Sequence, residues 1–227
     1  MSLKLVIWDM DGTLVDSRDV IQSAMVRAFE TLDLSPPPYE ATRKIVGLGL
    51  SEACRLLAPE DFDDARLPDL VDAYKHAFIA HRQDPSFKEP LYDGTIETLQ
   101  RLADAGWLQA MATGKSRRGI DAIFEMHPLG QYFDTIWCAD DGPGKPHPFM
   151  VEEAMGALGA EADKSLMIGD AVHDMRMAKA AGVRAVGVSW GFGAGDELIE
   201  AGADELHHEF GSLNQSIDAF GERLVAV

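Results

Sequence analysis

Apolar positions along this 227-residue chain fall into two textures. Short runs of the buried-strand type are Leu3–Trp8, Trp107–Ala112, Phe133–Ala139, Ser165–Ile168 and Arg184–Ser189, with a further edge segment at Asp204–His207. Between the later runs the spacing becomes three and four, predicting helices over Thr95–Ala105, Arg117–Met126, Pro148–Leu158 and Asp174–Ala181, and a short one near Glu197. Residues 17–87 differ. Val20, Ile21, Ala24, Met25, Ala28, Phe29 and Leu32 form one helical stripe, with Ser17 or Asp19 available as its cap. Pro36–Pro38 ends it, and a second helical region is interrupted by Val46–Leu50. Leu67, Leu70, Val71, Tyr74 and Phe78 form another stripe, closed off at Asp84-Pro85-Ser86. The pattern predicts an α/β protein, a doubly wound parallel sheet from residues 1–16 and 88–227, with an all-helical domain, residues 17–87, inserted after the first strand.

Composition narrows the function classes. The formal charge is −18, from 38 acidic against 20 basic residues. Polyanion binding draws on Lys and Arg contacts to phosphates, so nucleic acid is not an expected partner, and an anionic membrane surface is equally disfavoured. No run approaches the length of a membrane span, the first residues lack a secretory pattern, and a cytoplasmic monomer or homodimer is expected. Cys54 and Cys138 are far apart and fit neither a disulfide framework nor a zinc site.

The chemistry gathers where strands end, which is where open parallel sheets bind ligands. Asp9 and Asp11 follow the first strand as Asp-x-Asp-Gly-Thr. Alternation in an extended segment points both carboxylates to one side, where two charges ~4 Å apart repel by roughly 4 kcal/mol at an effective dielectric near 20. Such a pair calls for a cation, a shared proton or a reaction. Thr113-Gly114-Lys115 follows the second core strand, Lys145 follows the third within Gly142–Pro148, and Gly169-Asp170 with Asp174 follows the fourth. Lys115, Arg117 and Arg118 form a basic cluster that either caps and solvates a helix start, the favoured reading, or helps draw phosphate in; His173 reads as a loop residue and His147 as part of the turn presenting Lys145.

These four motifs, in this order, resemble those of the haloacid dehalogenase superfamily, across essentially the whole chain and with an insertion where one branch carries a helical cap. The resemblance is closest to the phosphoglycolate phosphatase-like branch. It implies a Mg2+-dependent phosphatase acting on a small phosphorylated metabolite, with Asp9 as the nucleophile that forms an aspartyl-phosphate and Asp11 as general acid and base. It implies Thr113, Gly114 and Lys145 around the phosphoryl group, and Mg2+ held by Asp9, the Asp11 carbonyl and Asp170. Asp174 is expected to brace Lys145 or to join the metal ligands. Gly47 and Gly49, in the Gly-Leu-Gly-Leu break of the cap, are expected to approach substrate as part of a lid hinged near Ser17 and Asp84–Tyr92. A phosphosugar mutase built from the same parts and a non-catalytic phosphate-accepting module are the alternatives. The presence of Asp11 argues against the superfamily's dehalogenases and phosphonatases, which lack that second aspartate.

Overall fold

A computed structural model describes residues 3–84 and 87–225. In chain order its elements are β1 (Leu5–Trp8), α1 (Arg18–Thr31), α2 (Tyr39–Thr42), α3 (Leu50–Leu57), α4 (Leu67–Arg82), α5 (Thr95–Asp104), β2 (Leu108–Ala112), α6 (Arg117–Met126), β3 (Thr135–Trp137), α7 (Phe149–Leu158), β4 (Ser165–Gly169), α8 (Val172–Ala180), β5 (Arg184–Val188), α9 (Gly195–Glu200), β6 (Glu205–His207) and α10 (Phe210–Val225). The strands form one sheet in the order β3-β2-β1-β4-β5-β6, every pairing parallel. This order reverses direction at β1. The crevice of a doubly wound sheet therefore opens at the carboxyl ends of β1 and its neighbours.

All four residues of β1 are fully buried, because helices cover both faces of the sheet. Val6 and Trp8 face a core completed by Leu99 and Leu102 of α5, Ile120 and Ile123 of α6, and Leu213 and Ile217 of α10. Leu5 and Ile7 face the opposite core, built from Met150, Val151 and Ala154 of α7 with Met175 and Ala178 of α8. The α10 helix is absent from the sequence reading. Its signal was present in the spacing of Phe210, Leu213, Ile217, Phe220 and Leu224. β3 is shorter than the apolar run that predicted it, because Phe133 and Cys138 pack beside the sheet without extending its ladder.

Helices α1 to α4 gather around a third core, including Val20, Ile21, Met25, Phe29, Leu70 and Ala73. The chain passes between this helical unit and the sheet along two adjacent segments. Val15 bridges Leu91, Asp16 N donates to the Pro90 carbonyl (2.8 Å), and Tyr92 N donates to the Leu14 carbonyl (3.0 Å). Pro85 and Ser86, expected within the second connection, lie outside the described residues. Ser17 occupies the position before α1 but makes no capping bond; its hydroxyl is buried instead. Cys54 and Cys138 are free and buried, and burial pushes the Cys54 thiol up to about 12. No helix among the described residues is long and apolar enough to cross a membrane.

Candidate active site

The register of the sheet assembles the site. Trp8 pairs with Met111 on one side and Ile168 on the other, so Asp9, Thr113 and Asp170 leave the same edge within two residues of one another. Asp9 and Asp170 are buried, as are Asp174, Lys145 and Thr113. Lys145 Nζ lies 2.7 Å from Asp9 Oδ1 and 2.5 Å from Asp174 Oδ1. Asp174 Oδ2 accepts from Ala171 N at 3.0 Å, so this aspartate is tied at one oxygen and braces the lysine with the other. Carboxylate oxygens of Asp9, Asp170 and Asp174 all lie within 4.8 Å of one another.

Asp170 is aimed by two donors, Thr13 Oγ1 on Oδ1 (2.8 Å) and Phe192 N on Oδ2 (2.7 Å). Gly12 makes that approach possible. It has φ +90°, and a Cβ there would stand 2.1 Å from Asp170 Oδ2. The Asp-Gly step thus serves both the sharp turn and the contact between the first and fourth motifs.

Three buried carboxylates face one buried ammonium, a formal excess of two negative charges. Burial pushes Asp9 up to about 7 against the pull of Lys145, with Asp174 adding to the rise. Burial also raises Asp170 well above the carboxylate range, reinforced by Asp9 and Asp174. Burial works against the charge on Lys145, yet Asp174 and Asp9 outweigh it and hold its pKa above the ordinary lysine value. Asp9 Oδ2 is buried with no hydrogen-bond partner among the described residues. An orphaned carboxylate oxygen in an oxygen-only cluster fits a hard divalent cation, whose two charges match the deficit.

The remaining sequence-predicted residues fall around this centre. Asp11 is brought to the same edge and pairs with Lys115, whose Nζ lies 2.9 and 3.1 Å from its two carboxylate oxygens. Thr113 Oγ1 accepts from Lys115 N at 3.2 Å, and Gly114 lies in the loop ahead of α6. The first turn of α6 is capped by Ser116, so Gly114 stands two residues ahead of the cap. Gly114 has a different use: a Cβ there would sit 2.3 Å from the Gly47 carbonyl oxygen. Gly47 itself has φ +95° and lies against Ala171 and the Lys145 side chain. Gly49 stands just before α3 with open space where its side chain would be, so the close contact with protein backbone is made by Gly47. Arg43 in the same connection forms a two-pronged pair with Glu197 (2.7 and 3.1 Å), and holds that carboxylate down to about 2. His173 Nε2 contacts the Lys44 carbonyl at 3.0 Å.

Lys115 and Glu89 are what the sequence reading missed. Lys115 is not a solvated helix-start cation; its side chain is 8% exposed and spans Asp11 and, at 3.6 Å, Glu89. Glu89 is fully buried and takes Arg82 of α4 at 2.9 Å. Phe78 lies under both cations, 5.3 Å from Lys115 and 4.9 Å from Arg82. A glutamate in a Pro-flanked connector looks like surface, and only the return of α4 over the sheet edge buries it. By contrast Arg117 does serve the helix start, through Asp140 at its amide and Asp141 at its guanidinium.

Residues 6–188 match the family model of the haloacid dehalogenase-like hydrolases. The chain belongs to that family. Among its relatives, a probable phosphatase, IndB, of Dickeya dadantii is 37% identical over 198 residues, which cover 87% of this chain and 86% of that one. The pyrophosphatase PpaX of Halalkalibacterium halodurans is 31% identical over 84% of this hydrolase and 85% of its own length. A crystal structure described as a predicted phosphatase from Clostridium acetobutylicum superposes with a TM-score of 0.83 at 27% identity, covering 96% of this chain and 99% of that one.

Proposed function

We propose that this hydrolase is a Mg2+-dependent phosphatase that acts on a small phosphorylated metabolite through an aspartyl-phosphate on Asp9. The observation that carries the reading is the convergence of Asp9, Lys145, Asp170 and Asp174 in one buried cluster at the sheet edge. Family membership and relatives named as phosphatases support the same reaction class.

In this reading an Asp9 oxygen attacks phosphorus in line; the new bond to Asp9 forms as the bond to the leaving oxygen breaks. Asp11 gives its proton to that oxygen, then removes a proton from the water that attacks the acyl-phosphate, which restores Asp9 and releases phosphate. Lys145 Nζ and the Thr113 hydroxyl hold phosphoryl oxygens, with the Gly114 amide beside them. Asp174 keeps Lys145 in place. Asp9, Asp170 and the Asp11 carbonyl would hold Mg2+, which supplies positive charge to the phosphoryl oxygens when bound.

Residues 17–87 act as the cap, and 1–16 with 88–227 as the catalytic core, joined by the paired segments near Ser17 and Glu89–Tyr92. The contact of Gly47 on Gly114 and the Arg43–Glu197 pair support a lid that closes directly on the core and leaves room for little beyond the phosphate. Phosphoglycolate is the first substrate to test and pyrophosphate the second. The deciding assay is release of inorganic phosphate from p-nitrophenyl phosphate and from a panel of small phosphorylated metabolites, ranked by kcat/KM, with Mg2+ and with chelator. Turnover that depends on Mg2+ and favours compact substrates is expected. Conversion of a sugar phosphate into its isomer without phosphate release would reassign the protein as a mutase.

A further inference from the structure

The segment between β5 and α9 lies where the sheet meets the helical unit. Phe192 is 3% exposed, and its ring belongs to the apolar core of the helical unit with Val20, Ile21, Met25 and Leu70, although the strand before it lies in the sheet. The same ring rests on the Asp-Gly turn: a Cβ on Gly12 would stand 2.6 Å from Phe192 Cδ2. Its backbone serves the other end of the site. Phe192 N donates to Asp170 Oδ2 at 2.7 Å, and Gly193 N donates to the Asp170 carbonyl at 3.0 Å. On the cap side, Arg43 Nη1 donates to the Phe192 carbonyl at 3.4 Å. Gly191 leaves no slack, since a Cβ there would lie 2.2 Å from Asp170 Oδ2.

We propose that Phe192 is a positioning residue that couples the seating of the cap to the affinity of the core for a divalent cation; this rests on the reading of Asp170 as a metal ligand. With the cap seated, the ring is enclosed and its amide is fixed on Asp170. With the cap displaced, the ring loses its apolar surround and the amide loses its anchor, so Asp170 is aimed less tightly. Thermodynamic linkage makes the coupling reciprocal, and the cation favours the seated cap by the same factor.

The test is titration of the substrate-free protein with Mg2+ alone, followed by calorimetry, on the parent, Phe192→Ala, Phe192→Leu and Arg43→Met. Groups that orient a metal ligand are typically worth ~10-fold or more in affinity; Phe192→Ala keeps the amide but removes the ring that anchors it, and an increase of up to about that size in Mg2+ Kd is expected. Phe192→Leu, which keeps most of the apolar contact, should stay near the parent. Arg43→Met, which touches no proposed ligand, should shift Kd in the same direction by less. Hydrogen exchange should show Mg2+ slowing amide exchange in α1 and α3 of the parent. If Phe192→Ala folds and binds Mg2+ as the parent does, the residue is packing only and the coupling is wrong. If that variant does not fold, Arg43→Met decides: a parental Kd without Mg2+-dependent protection of α1 and α3 overturns the coupling. A parent that binds no Mg2+ overturns the metal reading itself, a result distinct from equal binding by parent and variants.

Discussion

Replacing Asp9 by Asn removes a charge that the metal-free fold holds at a cost, and the size of that cost sets a pH-dependent prediction. The Asp9 carboxyl is raised from its ordinary 3.8 to about 7, chiefly by burial. A group that binds its proton more tightly when folded stabilises the fold below its unfolded pKa, and this contribution is lost as pH rises through the folded pKa. The rise from 3.8 to about 7 corresponds to roughly 4 kcal/mol in total, of which about 2–3 kcal/mol disappears between pH 5 and pH 8. Asn does not titrate, and removing the Asp9 charge also relaxes Asp170, whose rise Asp9 reinforces. In chelator, urea unfolding should therefore show Asp9→Asn gaining about 2–3 kcal/mol on the parent from pH 5 to pH 8. Mg2+ should reverse the ranking at pH 8, because it stabilises the parent by binding the ionised carboxylates. A difference between the two proteins that does not change with pH would refute the reasoning about the buried charge excess.

Other outcomes follow from the same geometry. Asp11→Asn should lower kcat by roughly 10²–10⁴-fold with a much smaller change in KM, since a general acid and base acts in the transition state; steady-state kinetics with p-nitrophenyl phosphate reads both, and an unchanged kcat removes Asp11 from that role. Glu89→Gln leaves Arg82 and Lys115 without their shared buried carboxylate, and thermal or urea unfolding should show a loss on the order of 3–5 kcal/mol. A loss under about 1 kcal/mol, the range of exposed ion pairs, would mean the network is solvated.

The sheet and most helices were legible because their signals are local. Leu5–Trp8 needs both faces covered whatever follows it, and the stripe from Val20 to Phe29 is helical on spacing alone. The candidate site was legible for a related reason: chain order and the parallel sheet together force Asp9, Thr113, Lys145 and Asp170 to one edge. What escaped depends on contacts between distant segments. Lys115 and Glu89 become partners only when α4 returns over Asp11, and no spacing within either segment announces it. Phe192 in Trp-Gly-Phe-Gly reads as a turn aromatic until the helices of the inserted unit enclose it. Gly114 shows the same limit, since its lack of a side chain is required by the Gly47 carbonyl from the inserted unit and not by its own helix.

In the proposed reaction Asp9 carries the phosphoryl group between substrate and water. Rapid acid quench during turnover of p-nitrophenyl phosphate with Mg2+, followed by proteolysis and mass spectrometry, tests it most directly. One phosphoryl group is expected on the peptide containing Asp9, labile to hydroxylamine and absent from Asp9→Asn. Phosphoryl label on any other residue, or turnover by Asp9→Asn at the parental rate, would contradict it.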